Sequence, residues 1–415
     1  MPSNPAPTPT TPAAPATTAP GPTVPPPATA GVTLRDVDGG AGYFGRWANS
    51  FPTDPSFFPI GIWAETLADP AFIGQYKALG VNTFTNLWNG PTTDVMDQLK
   101  TNGMYGIADT PDSSLTASFN ATYGNKLAGR YYQDEGDGRD VCGDQPTWLK
   151  VLCFTTPQGR TSPVALKNMA DAIRAKDPTR PIFGQFTKPV ALLDYLSESE
   201  ARAYVDGVDI VSFDWYPLTD GYTPGQLWEQ ADAVQTTRRL SGYAKPVWPA
   251  IETSYVFPDT TYRPTPAEVS AEVWNAVIGG ARGIQYFNHS FSPIAGTQRV
   301  LLDPRYADIA AAVKTTNLRI AELAPVLNAP YADGLVTVTG GSVNHMVKAF
   351  NGSYYVFVAG RSRAAQNVNL QFNGLADATA TVLYENRTVP VAGGQLNDTL
   401  PNETTIHIYK ITPGA

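Results

Sequence analysis

The sequence feature that most restricts the fold is a repeating alternation between residues 55 and 326. A short apolar run, a polar turn and a stretch with helical character follow one another eight times. Eight consecutive strand–helix units within about 270 residues are what an α/β fold of the closed (β/α)8, or TIM-barrel, type requires. A doubly wound open sheet is the alternative. It rarely uses eight consecutive units, and no glycine-rich phosphate loop follows the first strand.

The approximate bounds of the predicted units follow from the same pattern. The eight strands are predicted at 57–63, 81–87, 104–108, 127–132, 181–186, 208–213, 246–251 and 283–287. Helices are predicted at 69–79, 92–102, 162–176, 190–204, 227–240, 266–279 and 304–326, and the helix after the third strand has no clear bounds.

The two ends of the chain differ from this repeating part. Residues 330–415 contain short strand-like runs separated by Gly, Asn and Asp, and predict a small antiparallel β-sandwich without helices. Residues 1–30 contain 11 Pro, 7 Thr and 7 Ala, which predicts an extended, disordered linker. The barrel is therefore expected at 31–329.

The linker also indicates where the protein works. Linkers of this composition commonly join an export or anchoring segment to an extracellular domain. We therefore expect a secreted or cell-surface protein whose signal or anchor is absent from this sequence; a disordered cytoplasmic tail is the alternative. Cys142 and Cys153 lie 11 positions apart, and in an exported protein this pair predicts a local disulfide rather than two buried thiols.

Composition excludes several classes of partner. The formal net charge is −8 and no Lys/Arg-rich run is present, which argues against nucleic acid and anionic membrane surfaces. No apolar run is long enough to insert into a membrane. The three histidines do not lie at metal-ligand spacing, so we expect no metal and no cofactor. An uncharged polysaccharide or oligosaccharide suits this chain better, and we expect a monomer.

Carboxylates, amides and aromatic rings are concentrated at the predicted strand ends. Catalytic groups of (β/α)8 barrels come from the C-terminal ends of the strands, where the loops converge. The candidates for substrate contact are Glu65, Asn86, Trp88, Asp109, Asp134, Gln185, Asp214, Trp215, Tyr216, Tyr286, Asn288 and His289. Almost no basic side chain falls at these positions. The site would therefore offer hydrogen-bonding partners to sugar hydroxyls but no cationic side chains to bind the phosphate of a phosphorylated substrate.

Two glutamates at strand ends, Glu135 and Glu252, form the expected catalytic pair. Glycosidic cleavage needs a protonated carboxyl that donates to the leaving oxygen and an ionised carboxyl that attacks or activates water. Asp134 and Asp137 disfavour a further negative charge on Glu135, as a general acid requires. Glu252 follows an apolar strand in the run AIETS, whose two hydroxyls suit an ionised nucleophile. A solvated loop glutamate and an ion-paired strand end are the respective alternatives.

At this point the chain resembles a known group of enzymes, the clan A type of retaining barrel glycoside hydrolases. The resemblance covers about residues 55–330 and is carried by YYQDEGD and PAIETS. It implies that Glu135, after the fourth strand, is the acid/base and that Glu252, after the seventh, is the nucleophile. The run DIVSFDWYP is similar to the clan's sixth strand, whose tyrosine hydrogen-bonds the nucleophile, which implies this role for Tyr216.

The chain departs from the clan at two places and agrees with it at a third. Asp134 replaces the usual asparagine before the acid/base, and Tyr286 with Phe287 lies where the clan frequently has a tryptophan. The segment beginning YENRTVPVAGG resembles the small β-domain that often follows such barrels.

The sequence therefore predicts a glycoside hydrolase that cleaves an extracellular or cell-wall polysaccharide by double displacement. A galactofuranose-containing galactan is one candidate substrate. A non-catalytic carbohydrate-binding barrel and a transglycosylase are the alternatives. A lyase or esterase is disfavoured because the basic and Ser–His groups that it needs are missing.

Overall fold

In a computed structural model, which describes residues 31–220 and 226–414, eight parallel strands close into a barrel. The predicted linker at 1–30 lies outside the described residues. A short strand, β1 (Thr33–Arg35), precedes the barrel, so the barrel strands are β2–β9. They are β2 (Ile60–Trp63), β3 (Thr83–Thr85), β4 (Tyr105–Ala108), β5 (Leu127–Asp134), β6 (Ile182–Phe186), β7 (Ile210–Phe213), β8 (Val247–Glu252) and β9 (Ile284–Phe287). The predicted fold class is confirmed.

Helices surround the barrel in the predicted order. They are α1 (Pro70–Ala78), α2 (Thr93–Asn102), α3 (Ala117–Tyr123), α4 (Thr147–Lys150), α5 (Pro163–Lys176), α6 (Lys188–Leu192), α7 (Glu198–Asp206), α8 (Glu229–Leu240), α9 (Pro266–Gly279) and α10 (Ala307–Leu327). Among the described residues, no helix is both long and apolar enough to cross a membrane.

The prediction of a single helix at 190–204 is wrong, because this segment forms two helices, α6 and α7. Leu193 and Tyr195 have φ of 58° and 50°, in the left-handed region that ends α6. Ser197 then caps α7: its hydroxyl accepts from the backbone of Glu200, whose carboxylate accepts from the backbone of Ser197. The capping residue was readable in the sequence, but the apolar run across 190–196 concealed the break.

The barrel interior is filled by alternate residues of the strands. In β8, Trp248 and Ala250 face the interior cluster, whereas Val247 and Ile251 pack on the outer helices. Trp248 is fully buried, and its ring centroid is 5.1 Å from that of Phe51 at the lower end of the barrel. Gly283 has to be glycine, because a Cβ there would lie 2.6 Å from the indole. This alternation decides which strand-end side chains face the upper cavity.

The C-terminal part is an antiparallel β-domain of two sheets around its own apolar cluster, as predicted for a sandwich. Its strands are β10 (Tyr331–Asp333), β11 (Val336–Gly340), β12 (Val343–Phe350), β13 (Ser353–Gly360), β14 (Gln366–Phe372), β15 (Ala378–Val382), β16 (Arg387–Val391), β17 (Gln395–Leu400) and β18 (Ile406–Ile411). One sheet has the order β1-β10-β12-β13-β18-β15-β16 and the other β11-β14-β17.

The first described strand, β1, belongs to the larger sheet of this C-terminal domain. β1 pairs antiparallel with β10, so residues 33–35 extend the C-terminal sheet although they were assigned to the barrel segment 31–329. A strand of three residues carries too little pattern to be read from sequence. The two parts also contact through α9: Trp274 stacks on Phe357 with centroids 6.1 Å apart, and Asn344 Nδ2 donates to Asn275 Oδ1.

A buried charge cluster joins β5 to the loop before β6. Arg130 and Arg180 are fully buried and both contact Asp177, with N···O distances of 2.7 and 2.9 Å. Burial acts to raise the pKa of Asp177, but a hydrogen bond from Thr179 and the two guanidinium groups outweigh it and lower the pKa to about 2. Two arginines around one carboxylate keep the buried charges compensated.

We predict that Asp177→Asn lowers the free energy of unfolding by about 3–5 kcal/mol at pH 7, because it leaves two buried arginines without their counter-charge. The lowered pKa means that Asp177 stabilises the fold above its ordinary pKa of about 3.9 and that this contribution is lost as the pH falls toward 2. Urea unfolding at pH 7 and pH 3 measures both effects. The exposed pair Asp308–Arg263 supplies the control, Asp308→Asn, which should cost less than about 1 kcal/mol. Equal losses in the two variants would contradict the prediction.

Candidate active site

A cavity of about 590 Å³ opens at the C-terminal ends of the barrel strands. Its wall combines carboxylates with aromatic rings. The carboxylates are Glu65, Asp134, Glu135, Asp214 and Asp220, and the rings are Trp63, Trp88, Tyr195, Trp215, Tyr216, Phe257, Phe287, His289 and Phe291. We call this space the catalytic cavity. Eight of the fourteen sequence-predicted catalytic and substrate-contact residues line it: Glu65, Trp88, Asp134, Glu135, Asp214, Trp215, Tyr216 and His289.

A β-bulge in β5 turns Asp134 and Glu135 toward this cavity. The register of β5 against β6 shifts between Tyr131 and Asp134, so β5 carries one residue more than its partner there. Glu135 follows with φ of 61°, an uncommon conformation for a residue with a side chain. Its backbone N donates to Gln185 O at 3.1 Å, and its carbonyl accepts from the backbone N of Arg139 at 3.0 Å.

The turn after Glu135 is held from below by Gln133. Its Oε1 accepts from Gly136 N at 2.9 Å, and its Nε2 donates to Gln185 O at 2.7 Å. A Cβ on Gly136 would lie 2.9 Å from that Oε1, so glycine is required for the close approach. The backbone at Glu135 is thus fixed by hydrogen bonds on both sides.

Arg139 is the cation that faces the acidic turn. It contacts Asp134 at 3.6 Å, Glu135 at 3.1 Å and Asp144 at 2.7 Å. The side chain of Glu135 remains 37% exposed, so it is both anchored and open to the cavity. Asp134 is more enclosed: burial, followed by the charge of Glu135, raises its pKa to about 6.

Asp214 approaches Glu135 from the end of β7, the next strand but one after β5 in the barrel. It follows β7 in the inward phase of Ile210 and Ser212, and its carboxyl lies within hydrogen-bonding contact of Glu135. Burial raises the pKa of Asp214 well above its ordinary value, and the charges of Glu135 and Asp134 raise it further. Two carboxyl groups in contact share a proton, since both cannot carry full charge.

Glu252 lies outside the described lining of the catalytic cavity. Its side chain is fully buried between β8 and the segment after β7, where Oε1 accepts from Leu218 N at 2.7 Å. Burial raises its pKa to about 8, which favours the protonated form at neutral pH over the ionised form that the sequence predicts. The neighbouring hydroxyls do not assist it: Thr253 Oγ1 donates to Phe287 O, and Ser254 Oγ donates to His289 O.

Asp137 does not line the described catalytic cavity beside Glu135. It is fully buried and accepts hydrogen bonds from Thr187 N and Val190 N, at the start of α6. Burial raises its pKa to about 6. Its position holds α6 against the turn. Another carboxyl beside Glu135 is that of Asp214, which is distant in sequence, and no signal in the sequence linked the two.

Tyr286 is also misplaced in the sequence prediction. It faces outward from β9, where its hydroxyl donates to Asn317 Oδ1 at 2.7 Å, and Phe287 faces the cavity instead. Strand alternation permits only one of two consecutive residues to face inward. Asn288 binds the hydroxyl of Tyr76 at 2.6 Å beneath the cavity wall.

Two other predicted contacts act chiefly within the protein. Glu65 is buried and accepts from Tyr76 OH at 2.6 Å and from Arg299 at 3.0 Å, although it still borders the cavity. Gln185 lies below the floor, where its Oε1 accepts from Gln285 Nε2 at 2.8 Å. Asn86 and Asp109 line a neighbouring space rather than the catalytic cavity.

Basic groups at the cavity were missed in the sequence. Lys188 and Arg299 both line it, from the start of α6 and from the long segment after β9. Each faces a carboxylate, Asp220 at 3.8 Å and Glu65 at 3.0 Å respectively. Arg299 lies well beyond the end of β9, so the strand-end rule could not find it, whereas Lys188 follows β6 by two residues and was overlooked. Their pairing leaves the cavity suited to neutral ligands.

Comparison with solved structures finds the same architecture in several enzymes. The GH42 β-galactosidase Gan42B from G. stearothermophilus, as a catalytic mutant, aligns with a TM-score of 0.54 and 9% identity over 86% of this chain and 98% of that one. The α-amylase of Geobacillus thermoleovorans, complexed with acarbose, gives 0.53 and 10% over 87% and 99%. A family 5 glycoside hydrolase from Bacteroides vulgatus gives 0.51 and 13% over 86% and 90%.

These likenesses show that the chain has the barrel fold of solved glycoside hydrolases. No family model and no curated protein matches the chain in sequence.

We predict that Asp214→Asn raises the melting temperature relative to the parent, and more so at pH 8 than at pH 5. The raised pKa of Asp214 means that the folded protein retains a proton that the unfolded chain releases above pH 3.9, so stability falls as the pH rises through this range. Thermal unfolding across that range measures the difference.

Asp308→Asn is the matched control, since the hydrogen bond from Arg263 lowers the pKa of Asp308 and its pH effect has the opposite sign. A melting temperature for Asp214→Asn that drops as the pH rises, relative to the parent, would contradict this account.

Proposed function

We propose that the protein is a retaining glycoside hydrolase acting on an extracellular or cell-wall polysaccharide. The observation that carries the proposal is the contact between the carboxyl groups of Glu135 and Asp214 at the floor of a cavity walled by aromatic rings. Glycosidic cleavage uses two carboxyl groups that hold one proton between them. Sugar rings stack on flat aromatic side chains, and several are available here.

The closeness of the pair supports retention of configuration. In inverting enzymes the two carboxyl groups are about 6.5–9.5 Å apart, which leaves room for water, whereas retaining enzymes need about 5–5.5 Å. Side chains in hydrogen-bonding contact leave no space for the intervening water that inversion requires.

Glu135 is the proposed acid/base, because it is open to the cavity and follows the fourth barrel strand. In the first step it gives its proton to the leaving oxygen while the second carboxylate attacks the anomeric carbon. In the second step it takes a proton from water, whose oxygen displaces the carboxylate from that carbon. Arg139 lies at 3.1 Å and positions Glu135 for both transfers.

Two residues compete for the role of nucleophile. Asp214 is favoured by the geometry, since it lines the cavity and contacts Glu135. Glu252 is favoured by its place at the end of the seventh barrel strand, but it needs Leu218 to release its Oε1 and needs to lose its proton. We assign the attack to Asp214 and retain Glu252 as the alternative. Tyr216 borders the cavity, where burial raises its pKa well above the ordinary value and the charges of Asp214 and, less strongly, Glu252 add to this shift.

The substrate class follows from the charges of the cavity. Lys188 and Arg299 are both paired with carboxylates, so an anionic sugar finds no free cation among the described lining residues. A neutral glycan is therefore proposed, and a galactofuranose polymer is the first to test. The disulfide between Cys142 and Cys153 agrees with an oxidising, extracellular location.

We predict that Glu135→Gln lowers kcat by about 10²–10⁴-fold on the polysaccharide that the parent cleaves, since the leaving oxygen loses its proton donor. A screen of purified cell-wall and plant polysaccharides, followed by product analysis, identifies that substrate. NMR of the first-formed product gives the anomeric configuration, which should be retained. Asp308→Asn, far from the cavity, should keep parental activity. If the parent binds a glycan but cleaves none, the hypothesis of a non-catalytic carbohydrate-binding barrel replaces that of a glycoside hydrolase.

The nucleophile is tested with Asp214→Ala and Glu252→Ala in the presence of azide. We expect azide to restore bond cleavage in Asp214→Ala only, because the small anion fills the space of the missing carboxylate and attacks the anomeric carbon. The product is then a glycosyl azide of inverted configuration. Rescue of Glu252→Ala alone would transfer the role to Glu252.

A further inference from the structure

A second cavity of about 700 Å³ adjoins the catalytic cavity. Residues that follow β3 and β4 form one side of it, and the other side comes from residues 144–149, which include α4. Asn86 and Asp109 face this space. Burial raises the pKa of Asp109, so a carboxyl that can donate or accept a hydrogen bond lies in its wall. Neither Asn86 nor Asp109 is used by the chemistry proposed above.

Trp88 and Asp134 line both cavities, which makes the two spaces neighbours along one surface groove. Trp88 is 65% exposed, and it is the only tryptophan among the exposed large hydrophobic residues of the described part of the chain. A flat apolar ring kept in water at such a junction is suited to stack on a sugar that passes from one cavity to the other.

The outer wall of the second cavity is a loop closed by the disulfide Cys142–Cys153, whose Cα atoms are 5.4 Å apart. The loop places Trp148 in the wall. The ammonium of Lys176 lies 3.9 Å from the ring centroid of Trp148 and fixes the ring by a cation–π contact. The disulfide thus restrains a second aromatic surface in addition to Trp88.

The same loop is connected to the proton donor. Arg139 donates from Nη1 to Asp144 in the loop at 2.7 Å and from Nε to Glu135 at 3.1 Å. Arg139 and Asp144 line the second cavity, whereas Asp214 lines only the catalytic cavity. The second cavity therefore lies on the acid/base side of the carboxyl pair and away from the attacking side.

We propose that the second cavity binds the leaving-group side of a glycan chain while the catalytic cavity, of about 590 Å³, holds the side that carries the attacked carbon, so that the enzyme cleaves internal bonds. The inference rests on the proposed function. A proton donor must lie beside the leaving oxygen, and the anomeric carbon must lie beside the nucleophile. With Asp214 in the catalytic cavity, the sugar beyond the leaving oxygen extends past Glu135 and Trp88 toward Trp148.

The test compares two substrates made of the same sugar, once the polysaccharide screen has named it. One is an oligosaccharide series labelled at the reducing end. The other is an aryl glycoside, whose small leaving group is too short to reach Trp148. The parent should release internal fragments from the labelled series. Trp148→Ala should lower the ratio of kcat/KM for the oligosaccharide to that for the aryl glycoside by about tenfold, and Trp148→Phe should recover most of it.

Phe154→Ala is the matched control. Phe154 follows the same disulfide, is 49% exposed and lines neither cavity, so its loss should leave the ratio unchanged. The double variant Cys142→Ser/Cys153→Ser should lower the ratio as Trp148→Ala does, and its melting temperature shows whether the barrel itself remains folded.

Two outcomes overturn the inference while leaving the proposed function intact. One is release of terminal sugars only by the parent. The other is an equal loss on both substrates in Trp148→Ala, which would indicate a structural role for the ring. A parent that cleaves neither substrate would instead defeat the proposed function and the inference together.

Discussion

The mutual repulsion of carboxyl groups at the barrel top governs the arrangement around it. Asp134, Glu135 and Asp214 approach one another in a partly dehydrated space, where additional negative charge is costly. The cost is offset by Arg139 on one side and by a retained proton on the other. The backbone at Glu135 accepts an uncommon conformation so that its carboxyl can meet this neighbour. The fold therefore tolerates an unfavourable backbone conformation at Glu135, the residue to which we assign the proton transfers.

Much of the barrel could be predicted because eight apolar runs repeat, and the closed geometry leaves few other solutions. The same reasoning located Glu135 and Asp214, which end strands in the inward phase. Tyr286 was expected to contact the substrate but faces the outer wall, because one residue of difference in phase decides between the two sides. Glu252 has the inward phase of Trp248 and Ala250, yet its carboxyl is held by Leu218 N outside the described lining of the cavity. The bulge in β5 carries no mark in the sequence, since an extra residue in a strand looks like any other.

Features that depend on pairs distant in sequence were beyond prediction for another reason. Lys188 and Arg299 reach the cavity from segments whose paths are set by packing, as Asp137 shows where it anchors α6. The contact of Asp214 with Glu135 joins two strands separated by β6. Composition nevertheless agrees with what the described cavity contains, because an acidic chain with many rings supplies several carboxylates and aromatic side chains to its wall.

The pairing of β1 with β10 determines where the first described residues lie relative to the opening of the cavity. β1 lies near the lower end of the barrel, where Arg282, just before β9, donates to Asp38 O, while the cavity opens at the upper end. The first described residues therefore lie on the face opposite the cavity, and a polymer can approach the open end of the barrel without passing them.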